Sequence, residues 1–382
     1  MASASEQFGT TWPAKPHTLA KHAVLRGYLN AWFPILSTGY KHKNCEILYI
    51  DGFAGPGAYT GGEDGSPVIA LKTALDHQHS FPKPVHFLFI EKEYDRIEHL
   101  KQLLEQIKKS GRSRNIGPIE VKRGECEVEI NALLNDIERK GRSFGPALAF
   151  LDQFGFSGVP MTLVKRILSH DHCETFIYLD YEGINRFAPD ATKTPGIDRA
   201  FGSSDWKACL GKEAELRKFY LKSLKTLGGA GYAYAFLMFD KNRTPLNWLV
   251  FCTGHWYGLQ MMKKAMWAVD KTGNFRFSDK DDPSQLSLPV LDETYNDQWL
   301  VSNLYKKFET QTLAVAQLRD YVLCETPCYL FNEAFRILET ERKAMKAINP
   351  PAGRKRGSFA EYEDLQFKFR KYEPEQVQED LF

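Results

Sequence analysis

Short apolar runs alternate with amphipathic stretches along the first two-thirds of the chain. In TLAKHAVLRGYLNAW, Thr18–Trp32, the residues Leu19, Val24, Leu25, Tyr28, Leu29 and Trp32 recur at helical spacing, which predicts a helix. Ile47–Ile50 is a short apolar run closed by Asp51 and a glycine-rich turn. Gly65-Ser66-Pro67 then opens a helix with Ser66 as the expected N-cap and Pro67 at the first helical position. The same beat returns in strands at Val85–Ile90, Ile119–Arg123, Ala147–Leu151 and Thr175–Leu179. Helices are expected between them at Tyr94–Lys108, about Val128–Arg139 and Thr162–Leu168. Strands that are continuous apolar runs belong to a parallel sheet covered on both faces.

After Asp180 the rhythm breaks. Residues 185–230 are polar, punctuated by Gly and Pro and partly helical at Glu213–Leu227, and read as an insertion or lid. Two long strands, Tyr232–Phe239 and Leu246–Thr253, are joined by the turn DKNRTP, and a helix is expected at Tyr257–Val269. The expected fold class is α/β: a doubly wound, mostly parallel Rossmann-type sheet ending in an antiparallel hairpin, as methyltransferase-like sheets regularly do. From about residue 285 the pattern becomes three helices, Asn303–Thr310, Leu313–Leu323 and Leu330–Arg342, followed by strands at Lys346–Asn349 and Leu365–Phe369. That order predicts a small winged-helix domain with GRKRG, Gly353–Gly357, at the wing tip. The domain reading is an N-terminal helical segment over 1–45, a Rossmann domain over 46–284 and the winged helix over 285–382.

Composition narrows the function classes. The chain is 43% hydrophobic and 26% charged, with a net charge of +2, so a nucleic-acid role must rest on local patches. Apolar stretches such as Leu246–Thr253 fall short of the ~20 residues of a membrane span. MASASEQFGTTWPAKPHTLAKH has no secretory pattern, and seven cysteines, an odd number, read as reduced thiols. A cytoplasmic setting is expected.

The strongest local signal is YIDGFAGPGAY, Tyr49–Tyr59, where a buried strand runs into Gly52, Phe53, Gly55 and Gly57. Glycines there permit positive φ and let a ligand approach the backbone. About eight residues separate Gly57 from the helix start, and Asp51 would repel a phosphate, so the turn suits a cationic ligand such as S-adenosylmethionine. A purely structural turn is the alternative. Glu91, closing the second strand, is placed to accept hydrogen bonds from both ribose hydroxyls. Glu125 follows the third strand, within reach of an adenine amino group.

Asp152 in ALAFLDQFG closes the strand that adjoins the first at the topological switch point, where ligands bind. It is placed to orient a substrate amine or hydroxyl. Asp180, Glu182, Asn185 and Arg186, in LDYEGINR, line the same rim, and Arg186 suits a substrate phosphate or carboxylate. Arg354, Lys355 and Arg356 of the wing suit phosphate contacts that position a nucleic acid, or form a solvated loop. HDHC, His170–Cys173, lacks the two- to four-residue ligand separation of zinc sites, so no metal is expected. No cysteine is placed after the fourth strand, which argues against covalent cytosine chemistry.

AKHAVLRGYLNAW (Ala20–Trp32), YIDGFAGPGAY, GSPVIAL (Gly65–Leu71), LDQFG, INRF (Ile184–Phe187) and GLQMMKKAMWAVD (Gly258–Asp270), in this order and spacing, resemble the three-Cys-motif partner protein family of bacteria and phages across nearly the whole chain. The resemblance implies a methyltransferase-like Rossmann domain with a C-terminal winged helix and a link to nucleic-acid modification. It also implies a separate three-cysteine-motif partner similar to radical-type iron–sulfur enzymes. One departure stands out: the family pattern after the fourth strand resembles Asp-Pro-Phe-Gly, whereas here Gln153 takes the proline position. Amino-directed methyltransferases clamp a base with such a loop, and Gln153 would have to bond the base edge through its amide instead.

The leading functional expectation is an S-adenosylmethionine-dependent transferase acting on a nucleic acid or nucleotide. Asp51, Gly52, Phe53, Gly55, Gly57, Glu91 and Glu125 would hold the cofactor, and Asp152, Asn185 and Arg186 the substrate. A non-enzymatic adaptor that binds nucleic acid or the partner is the alternative. A metal-dependent nuclease or other hydrolase built on Asp51, Asp152 and Asp180 is a third.

Overall fold

The computed structural model describes residues 10–39, 47–110, 114–141, 144–153, 155–240, 242, 244–270, 276–278 and 295–371. It divides into two compact units, the first comprising residues 1–271 and 275–288 and the second 272–274 and 289–382. The predicted boundary at 284/285 falls in a stretch outside the described residues.

The first unit is built on one sheet: β1 (Ile47–Asp51), β2 (Val85–Glu91), β3 (Ile116–Arg123), β4 (Ala147–Leu151), β5 (Cys173–Asp180), β6 (Tyr232–Phe239), β7 (Pro245–Thr253) and β8 (Arg276–Ser278). The strand order is β3-β2-β1-β4-β5-β7-β6-β8. Strands β1 to β5 pair in parallel, and β7 runs antiparallel between β5 and β6. The order reverses between β1 and β4, as the sequence predicts. The antiparallel hairpin follows β5 at the end of the parallel strands as expected, and a three-residue β8, which no pattern predicted, extends β6 in parallel.

Burial explains the apolar runs. Every residue of β4 is buried, and β1 is buried at four of its five positions, because helices cover both faces. β3, at the edge, has no fully buried position. Inner side chains reach a core that includes Ile50, Ala149, Ile177, Val250 and Trp248.

Residues 185–230, expected as an insertion or lid, are packed on the sheet. They form helices at Tyr181–Phe187, Thr194–Phe201 and Glu213–Thr226, with a 3₁₀ turn at Asp205–Cys209. Phe201, Trp206, Leu216, Tyr220 and Leu224 are buried in the same core as Trp248. Such aromatic anchors bury a large apolar surface each. The N-terminal helix also belongs to this unit rather than standing apart. It spans Pro16–Gly39 and packs on the helices Trp256–Val269 and Ser66–Leu75. Gly27 meets that partner closely, since a Cβ there would lie 3.3 Å from Ala265 Cβ. Gly65, not Ser66, is the N-cap of Ser66–Leu75. Among the described residues, no helix is long and apolar enough to cross a membrane.

The second unit runs helix Asp297–Lys307, β9 (Thr312–Ala314), helix Val315–Glu325, helix Asn332–Arg336 with a π turn Ile337–Glu341, β10 (Met345–Ala347) and β11 (Gln366–Phe369). The three strands form an antiparallel sheet ordered β10-β11-β9. The sequence reading lacked β9, whose three residues leave no alternation to detect.

Candidate functional site

The acids predicted to close strands sit on one edge of the sheet. Asp51 pairs with Phe89 of β2 and Phe150 of β4, and Glu91 ends β2 opposite Arg123. Asp152 follows β4, and Asp180 ends β5. Parallel strands necessarily gather their carboxyl ends this way.

Asp51 is fully buried. Its Oδ1 accepts from the Phe53 N–H at 3.2 Å, while Oδ2 has no hydrogen-bond partner. Burial pushes its pKa up to about 7, with Asp152 adding to the rise; the Ser66 hydroxyl and the Phe53 N–H act in the opposite sense. Tyr49, two residues earlier and so on the same face of β1, is buried with an unpartnered hydroxyl. Its pKa is raised by burial, Asp51 and Asp152.

Asp152 is already paired. The Lys21 ammonium of the N-terminal helix bonds Asp152 Oδ2, with side-chain exposures of 7% and 17%, and lies 4.7 Å from the Tyr178 ring centre. His22 beside it is buried, and burial with neighbouring Lys21 and Arg26 holds its pKa down at about 3, so it stays neutral. Its ring meets Tyr59 of the glycine turn at 5.7 Å. Sequence reasoning missed Lys21 and His22. A signal was available, since Lys21 falls three, four and seven residues before Val24, Leu25 and Tyr28, on the face the helix buries.

Glu91 is buried and ties down the glycine turn. Its Oε2 accepts from the Gly55 N–H at 2.9 Å, and its Oε1 accepts from the Lys92 and Glu93 N–H groups at 2.8 and 2.9 Å. The glycines divide by role. A Cβ on Gly52 would lie 2.6 Å from Cys126 Sγ, and one on Gly57 2.7 Å from Leu100 Cδ1, so packing alone requires both. Gly55, at φ +61, is buried, and a Cβ there would meet Trp12 at an ordinary 3.9 Å, so its positive φ rather than close packing calls for glycine. The Phe53 ring lies against Gly158. Glu125 is exposed at the N-cap of helix Cys126–Arg139.

Three expectations change. The Gln153 amide does not face a substrate. It is buried, donating to the Tyr178 carbonyl at 3.3 Å and accepting from the Gly158 and Val159 N–H groups at 2.8 and 3.1 Å. Glutamine thus fastens the loop from inside. Asn185 is spent on local structure, donating to the Tyr181 carbonyl at 3.1 Å and accepting from the Gly211 N–H at 3.2 Å. Asp180 caps its helix, accepting from the Gly183 N–H at 2.8 Å. Arg186 is exposed and rests on the Phe187 ring at 4.6 Å. Cys173 of HDHC is buried at the start of β5, and His170 packs edge-on to Phe144 at 5.1 Å.

In the second unit Arg354 is no phosphate contact. Its guanidinium forms a bidentate pair with Glu339 at 2.7 and 2.9 Å, with side-chain exposures of 2% and 5%. It also lies 5.1 Å from the Phe367 ring centre. Lys355 and Arg356 are exposed.

No family profile and no curated protein matches the chain. Solved structures do. EvdMO1 aligns at TM-score 0.30 and 12% identity, over 58% of this chain and 40% of its own. A protein of Staphylococcus aureus described as a caffeoyl-CoA O-methyltransferase aligns at 0.28 and 12%, over 59% and 83%. A DUF574 family protein of Streptomyces avermitilis aligns at 0.29 and 12%, over 60% and 82%. The first unit is a doubly wound, mostly parallel Rossmann-type sheet, with its one reversed strand, β7, set between β5 and β6.

Asp51 makes stability depend on pH. Its pKa rises from 3.8 to about 7 on folding, so the folded chain keeps a proton that the unfolded chain releases. That contribution is complete below about pH 4 and is lost as pH rises through 7, on the order of 4 kcal/mol in all. Glu174, raised from 4.5 to about 7, acts in the same direction. Asp51→Asn is expected to flatten the fall in urea-unfolding free energy between pH 4 and 7, leaving the Glu174 share. An unchanged slope would show that Asp51 is ionised in the folded chain.

Proposed function

We propose that the chain is an S-adenosylmethionine-dependent transferase acting on a nucleic acid or nucleotide, working with a three-cysteine-motif partner protein. The observation that carries this reading is Asp51 Oδ2, a buried acceptor without a partner, beside the glycine turn at the β1–β4 crevice. A carboxylate there takes the amino and sulfonium charges of the cofactor, beside a glycine turn that Gly55 closes at positive φ. Glu91 uses its backbone bonds to hold the turn and retains lone pairs for ribose hydroxyls. Glu125, exposed beyond β3, would meet the adenine. When bound, the cofactor supplies an electrophilic methyl group. Asp152, fixed by Lys21, would orient the substrate nucleophile, and Arg186 would take a substrate anion at the rim. The helix–strand–helix–helix–strand–strand order of the second unit supports a winged-helix reading and a polymer-positioning role.

The adaptor reading has one observation in its favour: the Lys21–Asp152 pair already fills the place where a substrate group would be oriented. The hydrolase reading has none. Asp152 faces an ammonium, Asp180 caps a helix, and among the described residues no three ligands converge.

Calorimetry with S-adenosylmethionine across pH tests the proposal. A cationic ligand on Asp51 displaces its proton, so affinity should rise by up to about tenfold per pH unit below 7. Asp51→Asn should weaken binding by about 1–3 kcal/mol and remove the pH dependence. No binding at any pH would reject the transferase reading and leave the adaptor.

A further inference from the structure

The outer face of the three-stranded sheet carries cations in register. Lys346 of β10 lies directly opposite Lys368 of β11, and Lys368 lies opposite Thr312 of β9. Phe367 and Phe369 point inward, so the strand alternation turns Lys368 outward, with exposed Arg370 at the next two-residue step. The strand ends border a concavity of about 850 Å³ whose lining includes Lys346, Lys368, Arg370 and Lys371 and, among the described residues, no acid.

Two features of this face cost stability. Like charges directly opposite each other on a sheet repel, and Lys346 and Lys368 are such a pair. Thr310 and Asn349, both lining the concavity, hold φ of 62° and 48°. Asparagine tolerates the left-handed region, but a β-branched threonine there is strained. Strain and charge that no described acid compensates, gathered in one place, mark a surface shaped for a ligand.

We propose that this face binds the phosphate backbone of a nucleic acid. The proposal rests on the polymer-substrate reading above and moves its phosphate contacts from the wing loop to the sheet. Charge complementarity selects the occupant, with four cations, no acid among the described residues and a chain whose net charge is only +2. A two-residue step along β11 is about 6.7 Å, close to twice the ~3.4 Å axial spacing of charges on one duplex strand. Lysines act as point charges that fit phosphate from many angles, so binding is insensitive to sequence.

Anisotropy of the full chain with a fluorescein-labelled duplex and its single strand, over a salt series, tests this. Lys346→Gln/Lys368→Gln/Arg370→Gln should bind at least about tenfold more weakly, and its log–log salt slope should fall by about 2–3. Its melting temperature should hold or rise, because a repulsive pair is removed. Lys355→Gln/Arg356→Gln should bind like the parent chain. Normal binding by the sheet variant, with loss in the wing variant, would overturn the proposal and leave the polymer reading standing. Equal competition by polyglutamate of matched charge would also overturn it, by showing a generic anion surface. A parent chain that binds neither oligonucleotide would sink both the proposal and the polymer reading, while the calorimetric test of the cofactor stays independent.

Discussion

Arg354→Ala should destabilise the C-terminal unit by about 3–5 kcal/mol, the cost of stranding one partner of a buried ion pair. Arg354 closes a bidentate pair with Glu339, and Glu339 also accepts from the Gly357 N–H at 2.7 Å. The Arg354 Nε donates to the Ser358 carbonyl at 3.1 Å, so one side chain ties both ends of the loop to the π turn. Removing it leaves the buried Glu339 carboxylate without its cation, with only the Gly357 N–H still donating to it. Arg354→Lys should not rescue, because an ammonium cannot form the planar fork. Lys355→Ala and Arg356→Ala, on exposed side chains, should stay within about 0.5 kcal/mol. Hydrogen exchange read on peptides from 295–371 measures the effect. Unaltered protection in Arg354→Ala would mean that the loop is held by its aromatic contacts instead.

Lys21→Ala should cost the first unit about 3–5 kcal/mol for the same reason, since it leaves Asp152 charged beside buried Asp51 and Tyr49. Lys21→Met/Asp152→Leu should recover most of that loss, because an apolar pair of similar volume needs no compensating charge. Urea unfolding of the single and double variants gives the coupling energy directly. Additive losses would show that Lys21 and Asp152 act separately, and would free Asp152 for the substrate.

Local pattern explains why much of the site was legible. Asp51, Glu91, Asp152 and Asp180 were found because each closes an apolar run, and parallel strands bring such ends to one edge whatever the loops do. Helix periodicity marks Lys21 as buried, but not its partner, which lies 131 residues away. Gln153 was misread for a related reason. In sequence an amide beside a carboxylate is a plausible base reader, and only the return of Gly158 and Val159 shows where its bonds go.

The amino-acid sequence by itself determined the alternation of strand and helix, the reversed β7 and the carboxylates at the strand ends. These follow from side-chain periodicity and from where a buried run must stop. Tertiary structure alone decided which charges are free. Arg354, Lys355 and Arg356 are equivalent cations in GRKRG, yet Arg354 is buried against Glu339 while its neighbours face solvent. Lys346 and Lys368 stand far apart in sequence and become one basic face only when β10 pairs with β11. Desolvation and pairing depend on distances across the fold, and those distances are set by long-range packing that local spacing does not encode.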